Sequence, residues 1–187
     1  RGLKQLFNTD RPVILATSSA TGLMESAIRS GVRERLLAVV SGTFGERFAQ
    51  IAERCGKEVV RLHVPRGSAL EVEQLEPMLD GPPIDAVSLV HVETSTGAVA
   101  PIAELLPVFD RLGDVVTIID AVGSLGGMAV DPAEWGADFV LAASQKAVAL
   151  PAGLAFAVAS DRFLARALTS DDRGLYLDAV ALHHAAD

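Results

Sequence analysis

Hydrophobic residues along the chain fall into short continuous runs that alternate with amphipathic stretches. The continuous runs predict buried strands at 12–17, 35–40, 58–64, 85–92, 115–120, 137–143 and 153–160. Apolar residues at helical spacing predict helices at 23–32, 45–56, 71–79 and 102–113, and again within 161–187. Strands that are apolar on both faces are typical of a mostly parallel sheet covered by helices. The pattern therefore predicts an α/β fold, a three-layer α/β/α sandwich, with Pro107 kinking its helix or marking a late start.

Length, charge and cysteine content narrow the class of protein. The 187 residues, half of them hydrophobic, suffice for one domain spanning 1–187. A formal net charge of −8 disfavours nucleic acid and anionic membranes as partners. No apolar run reaches the roughly 18 residues that span a bilayer. The single cysteine, Cys55, cannot form an internal disulfide, which suits a reducing compartment, and we expect a cytoplasmic protein.

Four polar clusters follow predicted strands, where ligands of parallel sheets bind. They are TSSATG (17–22), ETSTG (93–97), DAVGS (120–124) and SQK (144–146). In the first cluster Ser19, Thr21 and Gly22 could cradle a phosphate at a helix start, or serve only as an ordinary helix cap. The chain carries neither GxGxxG nor GxxxxGK[ST], so dinucleotide and P-loop sites lack support.

Two charged residues stand at strand ends. Asp120 has no basic residue near it in sequence, so it is a cap, a metal ligand or the partner of a cationic ligand group. A metal site would need further ligands near Asp120, and the clusters offer only His91 and Glu93. We interpret His91 as a packed histidine at a strand end, and we therefore expect no metal. Lys146 lies between apolar residues, which predicts either a loop lysine in water or an amine that does chemistry in a water-poor setting.

A phosphate cradle, an isolated carboxylate and a strand-end lysine are together what pyridoxal 5′-phosphate requires. Its phosphate needs an anion site, and its ring nitrogen needs an acid partner to stay protonated. Its aldehyde needs a lysine with which to form a Schiff base. The sequence therefore predicts this cofactor.

Several motifs in order carry a family resemblance from about residue 10 to the end. They are SATGLMESAI, SGTFGERFAQIAERCG, ETSTGAVAPI, DAVGSLGG, WGADFVLAASQKA and RGLYLDA. The chain resembles the large domain of class V aminotransferases, which are fold type I pyridoxal-phosphate enzymes, and in particular their serine–pyruvate and alanine–glyoxylate branch. The resemblance implies an aspartate-aminotransferase-like domain that binds the cofactor at nine positions: Ser19, Ala20, Thr21, Phe44, Thr94, Asp120, Val122, Gln145 and Lys146.

The resemblance also implies a role for each position. Lys146 would be the Schiff-base lysine and Asp120 the partner of the pyridine nitrogen, the two catalytic residues. Val122 and Phe44 would lie against the ring, although Phe44 alone reads as a core residue. Thr94 would bond near the ring hydroxyl, although alone it reads as a turn hydroxyl.

The remaining positions concern the phosphate, which Gln145 and the turn 19–21 would hold. Three positions differ from the residues that are common in related enzymes. Ala20 replaces a frequent glycine and crowds the approach to the phosphate. Phe44 stands where tryptophan is common in this branch, so stacking survives but an indole N–H contact does not. Gln145 stands where cysteine desulfurases of the same class carry histidine, which disfavours that activity.

The implied activity moves an amino group from a small amino acid, of the alanine or serine type, to a 2-oxo acid such as glyoxylate or pyruvate. Family members are homodimers in which the partner subunit completes the site. Their small C-terminal domain is absent from this sequence, and residues 161–187 would begin the connection to it. A class V lyase and a non-catalytic binding module remain alternatives, and an intact Lys146 and Asp120 disfavour the second.

Overall fold

A computed structural model describes residues 1–79 and 81–186. The strands are β1 (Ile14–Ala16), β2 (Arg35–Val40), β3 (Glu58–His63), β4 (Ala86–Val90), β5 (Val92–Glu93), β6 (Ala98–Val99), β7 (Val116–Asp120), β8 (Phe139–Ala143) and β9 (Ala155–Ala159). The α-helices are α1 (Gly2–Leu6), α2 (Ala20–Gly31), α3 (Thr43–Arg54), α4 (Glu76–Leu79), α5 (Ile102–Phe109), α6 (Pro132–Trp135), α7 (Asp161–Leu168) and α8 (Ala179–His184).

Seven strands form one sheet in the order β1-β9-β8-β7-β4-β2-β3. The five strands from β8 to β3 are mutually parallel, and β9 is antiparallel to both β8 and β1. Because β9 reverses direction, β1 runs with the parallel strands. Ala16 and Ala143 both pair with Ala155, so β1 and β8 end at the same edge of the sheet. The other two strands, β5 and β6, form a separate hairpin at that edge.

Successive side chains of a strand point to opposite faces, and both faces of this sheet are covered. In β2, Leu36 belongs to the apolar core shared with α2, α3, α7 and α8, whereas its neighbour Leu37 belongs to the core shared with α5. The predicted three-layer sandwich with a mostly parallel sheet is therefore confirmed. Within the described ranges, no helix combines the length and apolarity needed to cross a bilayer.

Three predicted elements differ in detail. The helix expected over 71–79 is a 3₁₀ turn at Val72–Gln74 followed by α4, because Pro77 has no N–H to continue an α-helical ladder. The strand expected over 85–92 is interrupted at His91, after which the chain turns into the β5–β6 hairpin. Pro107 does not delay its helix: α5 begins at Ile102 and contains the proline.

Candidate active site

The residues that follow β4, β7 and β8 converge at one edge of the sheet. Asp120, the last residue of β7, pairs in register with Val90 on one side and Leu141 on the other. The pocket at this point is lined by Phe44, Val90, Val92, Thr94, Asp120, Val122, Gly123 and Lys146. Five of the nine predicted positions therefore line one pocket.

Asp120 lies at the floor of the pocket and is 2% exposed. One carboxylate oxygen accepts the backbone N–H of Val122 at 2.7 Å. Burial raises the pKa of Asp120 to about 7; the Glu93 charge adds to this, while the Val122 bond and the charges of Arg47 and Lys146 oppose it. Among the described residues no cationic side chain bonds to this carboxylate, so a buried acid stands without the counter-charge it requires.

Lys146 lies in a turn that leaves the sheet edge. The buried Ser144 donates its hydroxyl to the Pro151 carbonyl at 2.6 Å, and the Lys146 carbonyl accepts the Ala149 N–H at 2.9 Å. Both Gln145 and Lys146 are exposed. Of the two alternatives predicted for Lys146, the single chain therefore shows the exposed loop lysine.

The chain has three lysines, and their amines are in different situations. Lys4 donates to the Asp10 carbonyl at 2.7 Å, and Lys57 donates to the Arg33 carbonyl at 3.2 Å. The amine of Lys146 makes no such bond within the part of the chain that the structure describes, and this residue lines the pocket of Asp120. It is the lysine amine that remains available for chemistry.

The turn 17–22 leads from β1 into α2 at the same edge. Ser19 is in the N-cap position, yet in the described part of the chain its side chain makes no capping bond, and the first turn of α2 has no acidic residue. The simple-cap alternative is therefore not what the structure shows. Ser19, Ala20 and Thr21, together with Gln145, lie outside the lining of the Asp120 pocket.

Gly22 does not fit the predicted phosphate role. Its N–H already donates to the Ser19 carbonyl at 3.0 Å. A Cβ there would lie 2.3 Å from Ser18 Oγ and 2.8 Å from Leu177 Cδ1. Close packing of the turn is what requires a glycine at this position.

Glu93 is a site residue that the sequence analysis considered only as a metal ligand. Its carboxylate is fully buried and accepts four hydrogen bonds. Oε2 accepts the N–H groups of Phe44 and Gly45 at 3.0 and 3.2 Å. Oε1 accepts the N–H and hydroxyl of Ser95 at 3.2 and 2.6 Å. Glu93 thus caps α3 and fixes the backbone of Phe44 against the hairpin.

Two glycines let the hairpin approach the strand ends closely. A Cβ on Gly42 would lie 2.4 Å from Ser95 Oγ and 2.6 Å from Glu93 Cγ. A Cβ on Gly123 would lie 2.8 Å from the Val92 carbonyl oxygen and 3.0 Å from Thr94 Cγ2. This close approach brings Thr94 into the same pocket as Asp120.

Arg47 is a second residue that the sequence analysis missed. Its guanidinium carbon lies 5.0 Å from the centroid of the Phe44 ring, and Nη1 lies 3.3 Å from Thr21 Oγ1. It therefore connects the Asp120 pocket to the turn that starts α2. Its position three residues after Phe44, on the same face of a helix, was the available signal.

His91 is a packed residue, as predicted. It is 6% exposed, its Nδ1 lies 2.9 Å from Ser124 Oγ, and its ring lies nearly perpendicular to that of Trp135, with 4.9 Å between the ring centroids. Burial lowers the pKa of its imidazole. Within residues 1–79 and 81–186 no three histidine, cysteine or carboxylate side chains are grouped as metal ligands would be.

Known proteins match this chain over nearly its whole length. The family model Aminotransferase class-V matches residues 2–186. An uncharacterized aminotransferase of Methanocaldococcus jannaschii is 39% identical over 183 residues, which are 96% of this chain and 47% of the relative. Alanine–glyoxylate aminotransferase 1 of Saccharomyces cerevisiae is 31% identical over 170 residues, 88% of this chain and 44% of the relative.

A solved structure agrees with these matches. The alanine–glyoxylate aminotransferase of a Nostoc species superposes with a TM-score of 0.92 at 28% identity, covering 99% of this chain and 50% of that one. The chain thus spans about half the length of the relatives that it matches. With the family model covering almost every residue, the chain belongs to the class V aminotransferase family.

Proposed function

We propose that the protein is a pyridoxal-phosphate-dependent aminotransferase, of which residues 1–187 form the cofactor-binding domain. It would move an amino group from a small amino acid, of the alanine or serine type, to a 2-oxo acid such as glyoxylate or pyruvate. The yeast and Nostoc relatives, both alanine–glyoxylate aminotransferases, support this choice of substrates.

The observation that carries the proposal is the state of Asp120. A carboxylate that is 2% exposed, has a pKa raised to about 7 and accepts only the Val122 N–H within the described residues needs a cation. A protonated pyridine nitrogen is such a cation, and Lys146 lines the same pocket. The residues present therefore fit pyridoxal phosphate.

The start of α2 fits the other end of the cofactor. The first N–H groups of this 12-residue helix have no side-chain cap, and its dipole favours an anion there. By contrast, Glu93 already occupies the N–H groups at the start of α3. The turn 19–21 would bind the phosphate, with Gln145 beside it.

When bound, pyridoxal phosphate supplies an aldehyde that takes up amines and a ring that accepts electrons. The residues of this chain would do the rest. Lys146 Nζ would hold the cofactor covalently and, once the donor displaces it, would carry the α-proton of the donor as base and acid. Asp120 would keep the ring nitrogen protonated, Phe44 and Val122 would hold the ring between them, and Thr94 would bond near its hydroxyl.

Dimerisation and compartment belong to the same proposal. We expect a homodimer in which the partner subunit completes the site, because Lys146 and Thr94 are exposed in the single chain and a reacting amine is better shielded from water. The single, half-buried Cys55 supports a reducing, cytoplasmic setting.

The direct test is an amine-donor screen of the intact protein with added pyridoxal phosphate. Alanine and serine serve as donors, glyoxylate and pyruvate as acceptors, and keto-acid formation is measured. We expect turnover that is lost in Lys146→Ala and kept in the matched control Lys57→Ala, whose amine lies elsewhere, bonded to the Arg33 carbonyl.

Three results would redirect or contradict the proposal. Release of ammonia from the donor when no acceptor is present would assign a lyase instead. Absence of any amine turnover, with the cofactor bound, would favour a non-catalytic binding module. Normal turnover in Lys146→Ala would remove Lys146 from the reaction altogether.

A further inference from the structure

Arg47 is the side chain that bridges the two halves of the candidate site. Its guanidinium lies over the Phe44 ring, which lines the Asp120 pocket, and Nη1 donates to Thr21 Oγ1 at 3.3 Å. Thr21 is the second residue of α2. One half-buried arginine on α3 therefore contacts the ring end of the site and the turn proposed for the phosphate.

The guanidinium of Arg47 has no carboxylate partner among the described residues. Its sequence neighbour Glu46 accepts instead from Arg61, with Nε and Nη2 both 3.2 Å from its oxygens, and Arg61 also pairs with Glu53 at 2.7 Å. The first turn of α2 has no acidic residue either. A positive side chain and a positive helix end thus lie next to each other with no anionic partner among the described residues.

The chemistry of the two groups fixes the direction of the bond between them. A guanidinium has only donors, so Thr21 Oγ1 must be the acceptor. The hydroxyl proton of Thr21 is then free to donate to another group. We propose that Arg47 is a positioning residue for the phosphate of the cofactor: it holds the Thr21 hydroxyl so that the proton is directed to a phosphate oxygen, and it adds positive charge at that end.

This inference rests on the proposed function and gives a role to Arg47, a residue within one of the family motifs to which the resemblance assigned none. It also separates two possible effects of Arg47. An effect through Thr21 concerns only the phosphate, whereas an effect through the Phe44 ring concerns the pyridine ring of any pyridoxal derivative. The two can be distinguished by removing the phosphate from the ligand.

The test compares the binding of pyridoxal phosphate and of pyridoxal to the intact protein by absorbance titration. Arg47→Met is compared with Arg54→Met, a matched control at the exposed end of the same helix. For Arg47→Met we expect the Kd for pyridoxal phosphate to rise about tenfold or more, the size of a bond to a charged group, while the Kd for pyridoxal changes by less than about twofold. Arg54→Met should leave both constants unchanged.

Two further variants make the result specific. Arg47→Lys keeps the charge, so its Kd for pyridoxal phosphate should lie between those of wild type and Arg47→Met. This variant keeps the test valid if thermal melting shows that Arg47→Met folds poorly. Thr21→Val removes the hydroxyl through which Arg47 acts. In that background Arg47→Met should add clearly less than it costs alone, because coupled residues are not additive.

The outcomes separate this inference from the proposed function. If Arg47→Met weakens the binding of pyridoxal and of pyridoxal phosphate equally, Arg47 acts through the ring. If the binding of both is unchanged, Arg47 has no role in holding the cofactor. Either result overturns the inference. A wild-type protein that binds pyridoxal phosphate no more tightly than pyridoxal would contradict the proposed phosphate site as well.

Discussion

Two buried aspartates at opposite edges of the same sheet differ in the number and kind of groups that bond to their carboxylates. Asp138, just before β8, is 2% exposed, and its carboxylate accepts bonds from Arg162, Ser160 and the Thr117 N–H. Asp120, at the end of β7, is equally buried, yet within the described chain it accepts only the Val122 N–H.

The difference extends beyond these two residues. At the edge of Asp138, the buried Arg166 bonds to Asp114 and to two backbone carbonyls, and Asp85 accepts three backbone N–H groups. At the edge of Asp120, Lys146 and Arg47 have no acidic partner among the residues that the structure describes. Charges that are paired within the protein stabilise the fold, whereas unpaired charges are available to bind a ligand. We call the edge at Asp138 the satisfied edge and the edge at Asp120 the unsatisfied edge. The following substitutions test whether the two edges divide stability and function in this way.

The largest effect is expected at the unsatisfied edge. Asp120→Asn keeps the shape of the side chain but removes the charge that would hold the ring nitrogen protonated. We expect aminotransferase turnover to fall roughly a thousandfold, as when a single electrostatic stabiliser is removed. Steady-state keto-acid formation measures it. The free energy of unfolding without cofactor should not fall, and near-normal turnover would mean that Asp120 is only a structural cap.

The raised pKa of Asp120 predicts how stability without cofactor depends on pH. The unfolded carboxyl has its ordinary pKa near 3.8, and the folded one about 7, so the folded state binds more protons between these values. The stabilising contribution is complete below about pH 4 and is lost as the pH rises to 7. This loss is worth roughly 4 kcal/mol. Urea unfolding at several pH values should show it in wild type and not in Asp120→Asn; parallel curves would contradict the raised pKa.

The satisfied edge should respond in the opposite way. Asp138→Asn leaves Arg162 without its carboxylate and places an amide where donors from three residues converge. We expect the free energy of unfolding to fall by about 2–3 kcal/mol, since buried partners are left unpaired. Among molecules that remain folded, turnover and cofactor affinity should stay near wild type. A loss of turnover without a loss of stability would contradict the assignment of stability to one edge and function to the other.

The layers, the ends of the strands and the position of Asp120 and Lys146 at one edge of the sheet could be predicted from the sequence. Continuous apolar runs marked the strands, and Asp120 and Lys146 followed two of them, so parallel strands had to bring them to one edge. Phe44, Thr94 and Val122 could be assigned only through the family motifs. Each alone has an ordinary structural explanation, and Phe44 indeed also packs against the core.

What the sequence did not indicate depends on contacts between distant segments. Glu93 caps a helix that begins 50 residues earlier in the chain, and no local spacing shows that pairing. Arg47 meets Thr21 because α3 packs beside α2. The sequence left the exposure of Lys146 open, because apolar neighbours in a sequence do not reveal whether another layer covers them.

The central claim is that the unsatisfied edge holds pyridoxal phosphate on Lys146. Incubating the intact protein with pyridoxal phosphate, reducing it with borohydride and mapping the modified peptide by mass spectrometry tests this most directly. The chain has only three lysines, which makes the map decisive. We predict the reduced cofactor on the peptide that contains Lys146, with little on Lys4 or Lys57. Labelling on either of those lysines in place of Lys146 would contradict the account.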